Sequence, residues 1–269
     1  MRLAVVGHVE WVDFLHVEHP PVAGEIVQGT AAWQAAAGGG ADSAVQLLKL
    51  AGSATLFTAL GDDALGRKAY ADLSLRGLRV EAAWRDDPQR RAVCFLDARG
   101  ERTIALFGPK LVPYGSDPLP WSELGSADGV YFTGGDPEAL CAARRARVLV
   151  ASARELHVLR EAAVPVDALV ASASDAAEGY EVGDLEPRPR FVVRTEGARG
   201  GTIEPGGPFR AADLPGPIVD TYGAGDAFAA GLTYGLAKDM AIDAAVAFAA
   251  RCGAAVLTGR GPFEGQLVL

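Results

Sequence analysis

The feature that most limits what this chain can fold into is its alternation of short apolar runs with amphipathic ones. "LAVVG" (Leu3–Gly7) reads as a buried strand stopped by glycine. In "DSAVQLLKLAG" (Asp42–Gly52), Ala44, Leu47, Leu48 and Ala51 recur at the spacing of one helix face, and Gly52 marks the stop. "ATLFTAL" (Ala54–Leu60) returns to a strand, and "DALGRKAYADLSLRG" (Asp63–Gly77) to a helix closed by glycine. A strand that ends in a helix and restarts as a strand must cross over, so this rhythm predicts an α/β fold with a mostly parallel sheet covered by helices.

The rhythm breaks between about Arg79 and Phe107. There "RAVCFLDARGERTIALF" reads as two strands around the turn "DARGE". The segment "PPVAGEIVQGTAAWQ" (Pro20–Gln34) is also strand-like and poor in helix signals. These excursions, at about 11–36 and 80–108, are expected to pair as a small accessory sheet. After Gly129 the alternation resumes with "GVYFT", "RVLVA", "DALVA" and "RFVVRT", and two helices close the chain, Asp226 to about Lys238 and Ala241 to about Leu257. No internal repeat breaks the sequence, and the only proline-charged patch, "EPRPR" (Glu186–Arg190), is short. A single domain over 1–269 is the economical expectation.

With 25 basic and 34 acidic residues the formal net charge is −9, which works against non-specific nucleic-acid binding. Apolar residues at 49% and charged ones at 22% exclude a disordered chain. Cys94, Cys141 and Cys252 are far apart and form no CxxC pair, as expected of a reducing cytoplasm. The apolar run in "MRLAVVGHVEW" is too short for a signal peptide, and no window approaches a membrane span. The expectation is a cytoplasmic protein with neither nucleic acid nor membrane as partner.

The stretch "VDTYGAGDAFAAGL" (Val219–Leu232) carries the chemistry. An aspartate that opens a helix is commonly a cap. A cap does not require Gly223, Ala224 and Gly225 before it. Small residues there leave successive N–H groups open at the positive end of a helix, a nest for an anion. Asp226 beside that anion could accept a proton from an attacking hydroxyl, and positioning, charge stabilisation and a base are what phosphoryl transfer needs. The Walker A, GxGxxG, HExxH and GxSxG patterns are absent, and His8, His16, His19 and His157 show no metal-ligand spacing.

"DTYGAGDAFAAGL" resembles the DTxGAGD signature of the PfkB/ribokinase-like family of carbohydrate kinases. "AGGGADSAVQLLKLAG" (Ala37–Gly52) is similar to that family's N-terminal signature, and "GDDALGRKAYADLSLRGLRV" (Gly61–Val80) to the block after it. "PVAGE" (Pro21–Glu25) and "RGERTIALFG" (Arg99–Gly108) resemble its lid segments, and "RTEGARG" (Arg194–Gly200) its nucleotide turn. The resemblance spans nearly the whole chain. It implies a three-layer αβα sandwich of ribokinase type with a β-lid, and an ATP-dependent kinase acting on a sugar, polyol or nucleoside.

Carried over by residue, the resemblance makes Asp226 the base and Gly223, Ala224, Gly225 and the Asp226 backbone the anion hole. Asp13, Gly38, Gly39 and Asp42 would meet the acceptor. Thr195, Gly197 and Gly200 would line the ATP site. Asp175 would attend Mg²⁺, and Asp220 and Tyr222 would offer backbone carbonyls to a monovalent cation such as K⁺. The lid would exclude water and could join two copies as a homodimer.

Three departures stand out. Asp42 replaces a usual asparagine, Ala37 replaces a glycine, and "SASD" (Ser172–Asp175) stands where the metal-associated NxxE motif is expected. Gly134 and Gly135 fall near where some sugar kinases place a hydroxyl-binding acid. Asp13, Asp42 and Asp226 facing one pocket would favour a neutral acceptor over a sugar phosphate or acid, unless Arg85, Arg90, Arg91 or Arg102 points inward. A nucleoside or vitamin kinase, or a ligand sensor without catalysis, is the alternative.

Overall fold

A computed structural model describes residues 1–269. In chain order, its first half runs β1 (Leu3–Val6), β2 (Glu10–His16), β3 (Ala31–Ala37), α1 (Gly39–Ala51), β4 (Thr55–Gly61), α2 (Ala64–Leu75), β5 (Arg79–Arg85), β6 (Arg91–Leu96) and β7 (Arg102–Phe107). The second half runs β8 (Gly129–Phe132), α3 (Pro137–Ala143), β9 (Val148–Ser152), α4 (Leu156–Ala162), β10 (Ala168–Ser172), β11 (Phe191–Thr195), β12 (Gly201–Glu204), β13 (Pro208–Phe209), α5 (Ala224–Ala237) and α6 (Ile242–Val256), with short 3₁₀ turns between.

Nine strands form one sheet in the order β13-β12-β11-β10-β9-β8-β1-β4-β5. Every pairing from β11 to β5 is parallel, and only β12 and β13 are antiparallel. The strands are near-continuous apolar runs because both faces are covered. Along β1 the side chains alternate: Leu3 and Val5 join the core made with α1, α2, α5 and α6, while Ala4 and Val6 join the core made with α3 and α4. These are the three expected layers. No helix is long and apolar enough to cross a membrane.

The second sheet, β3-β2-β6-β7, is the expected small lid. Its hairpin pairs Arg91–Leu96 with Arg102–Phe107 around the turn read from "DARGE". Val12, Phe14, Ala36 and Cys94 of this sheet belong to the same apolar cluster as the helices of the large sheet, so the lid is seated on the body.

Boundaries differ in three places. Arg79–Arg85 pairs with β4 as the edge of the large sheet, so the second lid segment begins near Arg91. Of Pro20–Gln34 only Ala31 onward is strand, because this part alone finds a partner in β2, while Val22 and Ile26 are left exposed. Helix α1 begins at Gly39, before Asp42, since its glycine turn lies against the end of β1.

Candidate active site

In the sheet β1 lies between β4, which follows it by way of the lid and α1, and β8, which the chain reaches only after β7. Ligands of open α/β sheets bind at the carboxyl ends of strands where the order reverses in this way. His8 follows β1 at that point and Thr133 follows β8. Helix α1 is laid directly on the spot: a Cβ on Gly40 would come within 2.6 Å of the His8 carbonyl oxygen, so any side chain there would force the helix away. The close approach aims Gly39 at the gap between strands. A Cβ on Gly39 would lie 2.9 Å from Thr133 Oγ1, 3.1 Å from Asp226 Oδ1 and 3.4 Å from His8 Cε1. Groups from four parts of the chain thus meet at one point.

Asp226 reaches that point from the first turn of α5. The approach to the helix is fixed by side chains. The buried Asp220 carboxylate accepts the N–H groups of Tyr222 and Gly261, each at 2.8 Å. The lid holds the same turn: Thr221 N–H donates to the Gly100 carbonyl at 3.0 Å, and Arg102 Nη1 donates to the Thr221 carbonyl at 2.6 Å. Gly223 caps the helix in the left-handed region with φ +80°, and no side chain caps the end. The amides of Gly223, Ala224, Gly225 and Asp226 donate to no backbone carbonyl; the first helical bond runs from Ala227 N–H to the Gly223 carbonyl. Gly225 is exposed, with nothing within 4 Å of where its Cβ would be. Open donors at the positive end of a 14-residue helix, with space before them, can cradle an anion.

Burial pushes the Asp226 carboxyl up to about 6, against the opposing pull of Arg102 and Arg154. A carboxylate titrating there is ionised at neutral pH yet basic enough to take a proton. Asp42, fully buried beneath Gly223, is raised well above the usual carboxylate range, first by burial and then by Asp226 and Glu10. Neither of its oxygens has a hydrogen-bond partner or solvent surface. Burial also raises Glu10, and lowers His8 so that its imidazole is neutral; Lys110, Arg90 and Arg154 add to the lowering.

The structure brings Gly38, Gly39, Asp42, Gly223, Ala224, Gly225 and Asp226 together, but not Asp13. In β2 the side chains alternate, and Phe14 points inward, its ring 5.0 Å from that of Tyr222 and 5.2 Å from that of Trp33. Asp13 therefore lies on the opposite face, where it accepts from Gln34 at 2.5 Å and from Arg91 at 3.3 Å. The inward position is taken by Glu10, whose Cγ would lie 3.3 Å from a Cβ on Gly38 and which forms a 3.1 Å ion pair with Arg90. Glu10, His8 and Thr133 are site residues that sequence reasoning missed. The available signal was their place directly after the strands β1 and β8.

Thr195, Gly197 and Gly200 form a turn at the end of β11, in which Glu196 N–H donates to the Gly200 carbonyl at 2.7 Å. A side chain at Gly200 would strike the Phe209 carbonyl oxygen, while Gly197 faces open space. The "SASD" segment adjoins it, Ala173 N–H donating to the Thr195 carbonyl. Asp175 caps its own turn through Ala177 N–H and is ion-paired with Arg154, whose Nε also lies 2.8 Å from Glu178 Oε1 in a second ion pair. No set of three or more His, Cys, Asp or Glu side chains is arranged to hold a metal ion. A resident guanidinium engages these carboxylates, so they do not fit direct magnesium ligation. Between Asp220 and Tyr222, the Thr221 carbonyl is likewise engaged by Arg102.

A family profile described as pfkB family carbohydrate kinase matches residues 1–266. A relative from Halopiger xanaduensis named ATP-dependent ribose-1-phosphate kinase is 29% identical over 269 aligned residues, covering 94% of this chain and 91% of its own. Among solved structures, ribokinase from Giardia lamblia superposes with TM-score 0.78 at 18% identity, over 99% of this chain and 96% of that one. Ribokinase from Cryptococcus neoformans in complex with ADP superposes with TM-score 0.74 at 23% identity, over 100% and 97%.

Proposed function

The chain belongs to the pfkB family of carbohydrate kinases and is an ATP-dependent phosphotransferase; from that premise we propose how its own residues carry the transfer and what they accept. One Asp226 carboxylate oxygen takes the proton of a sugar hydroxyl as that oxygen attacks the γ-phosphorus of ATP. The bond from γ-phosphorus to the bridging oxygen breaks, and ADP leaves with the electron pair. The amides of residues 223–226 stabilise the charge on the moving phosphoryl group, and Arg102 and Arg154 add positive potential. Magnesium enters this scheme with ATP, as part of the substrate. The turn Thr195–Gly200 supports the nucleotide. The rings of Phe14, Trp33 and Tyr222 pack the lid against the turn before α5, which would help keep water from the phosphoryl group.

The observation that carries this reading is the convergence of Asp226 Oδ1 on Gly39 beside four unpaired helix amides. Gly38, Gly39 and Glu10 would hold the acceptor, which we take to be a pentose or a closely related polyol. Asp13 stands outside the pocket, but Glu10 takes its inward place, so a carboxylate still faces the acceptor there and supports a neutral one. The Halopiger relative's name makes a phosphorylated pentose a second candidate. A homodimer through the lid is part of the proposal, because β7 is an unpaired edge with Ile104, Leu106 and Phe107 exposed.

The test is an acceptor panel of D-ribose, ribose 1-phosphate, ribitol and adenosine with ATP, followed by ADP release. Turnover of a pentose or its phosphate is expected. Turnover of adenosine alone would replace this reading with a nucleoside kinase, and binding without any turnover would replace it with a sensor.

A further inference from the structure

Resting on the reading of this site as a kinase's, we propose that the Asp42 side chain works as an un-ionised carboxylic acid, whose proton keeps the turn 223–226 able to hold an anion. Asp42 stands where the family signature has asparagine, and the transfer scheme gives it no task. It lies in the first turn of α1, which is docked on the first turn of α5. Ser43 Oγ donates to the Asp226 carbonyl at 3.1 Å, and a Cβ on Gly223 would lie 3.6 Å from Asp42 Oδ2. The carboxyl therefore packs against the residue that caps α5. Its backbone is pinned on both sides: Asp42 N–H donates to the Gly38 carbonyl at 2.9 Å, and its carbonyl accepts from Gln266 Nε2 at 2.8 Å.

Nothing around this carboxyl supports a negative charge. It is fully buried, and neither oxygen receives a hydrogen bond. Asp226 on α5 and Glu10 on β2 face it with charge of the same sign. Tyr222, on the turn before α5, is itself held neutral by burial. The one cation that opposes them is Arg102 on β7, and its guanidinium donates to the Thr221 carbonyl. An unpaired charge costs far more to bury than a neutral acid, so the proton stays. Of the two carboxyls, Asp42 has no exposed surface and Asp226 has some, which leaves Asp226 as the ionised one and the base. The proton also preserves the potential of the turn. A carboxylate this close to Gly223 would offset the partial positive charge of the α5 end and repel phosphoryl oxygens. Asp42 is thus a positioning residue that acts through the amides of α5.

The test compares Asp42→Asn with the parent in three readouts. A carboxyl that keeps its proton on folding makes the folded chain bind a proton that the unfolded chain has lost, so stability falls as pH rises above about 4. Asparagine has no such proton. In urea unfolding from pH 5 upward, the folding equilibrium constant of the variant relative to the parent should therefore rise by about tenfold per pH unit, until Asp42 itself ionises. A ratio independent of pH would overturn the proposal. In the infrared spectrum at pH 7, the carbonyl stretch of an un-ionised carboxyl should be present in the parent and in Asp226→Asn, and absent from Asp42→Asn. A parent without that band overturns the proposal even where the variant does not fold. ADP titrated at pH 7 should bind the variant no more tightly than the parent, since no charge has been removed. Tightening by about tenfold would show that a negative charge had stood behind the turn, and would overturn it too. None of these readouts needs turnover. If all three come out as expected and no acceptor is phosphorylated, the proton on Asp42 stands and the reading of the site as a kinase's falls. Phosphoryl transfer with a flat stability ratio and no band leaves the kinase reading and removes the proton.

Discussion

Asp226 is useful because two opposing effects meet on one carboxyl. Burial raises it to about 6 while Arg102 and Arg154 hold it from rising further. A base works ionised, so kcat/KM should fall as pH drops through about 6, by about tenfold per unit below the midpoint. A flat profile between pH 5 and 8, with protein stability unchanged, would remove Asp226 as the base. Glu10 and Asp13 separate in the same way. Glu10→Gln should raise the acceptor KM by about tenfold, and Asp13→Asn should leave it within about twofold, because only Glu10 faces Gly38. The reverse pattern in steady-state kinetics would contradict the placement of β2. Gly223–Asp226 was legible in the sequence because its members are consecutive. The face of β2 was not. Shifting the phase of a strand by one residue exchanges inside and outside, and the partners that set this phase, β3 and β6, lie far along the chain.

At the scale of elements, the lid and the turn before α5 are joined. The hairpin turn between β6 and β7 brings Gly100 onto Thr221, and Arg102 follows onto the same residue's carbonyl. Closing the lid therefore delivers a positive charge to the Asp226 neighbourhood as well as a roof. Replacing Arg102 with Met should lower kcat and move the pH midpoint upward from about 6, since the first charge opposing the burial effect is gone. A loss of kcat at an unmoved midpoint would mean that Arg102 only positions the lid. The hairpin itself was readable from "DARGE", a turn flanked by apolar runs. That it seats on Thr221 was not, because this contact joins segments more than a hundred residues apart, as the Arg102–Thr221 separation of 119 shows. The same holds for Arg79–Arg85, a strand whose membership of the large sheet is decided by β4 alone.

For the whole molecule, the parallel sheet was legible in the alternation of runs, but its order was not. That order puts β1 beside β8, and so sets His8 and Thr133 side by side at the reversal, where no local pattern in the sequence could have paired them. The unpaired edge β7 leads to a further expectation. The chain should be dimeric by light scattering, and Leu106→Lys combined with Phe107→Lys should yield a folded monomer; a monomeric parent would contradict it. The account as a whole stands on the carboxylate of Asp226 meeting a hydroxyl in front of the open amides of α5. The most direct measurement is rapid-quench transfer of the γ-phosphoryl group from ATP in Asp226→Asn, with nucleotide affinity measured on the same protein. The account predicts nucleotide binding within a few-fold of the parent and transfer slower by about 10³-fold or more. Transfer at the parental rate with nucleotide still bound would contradict it.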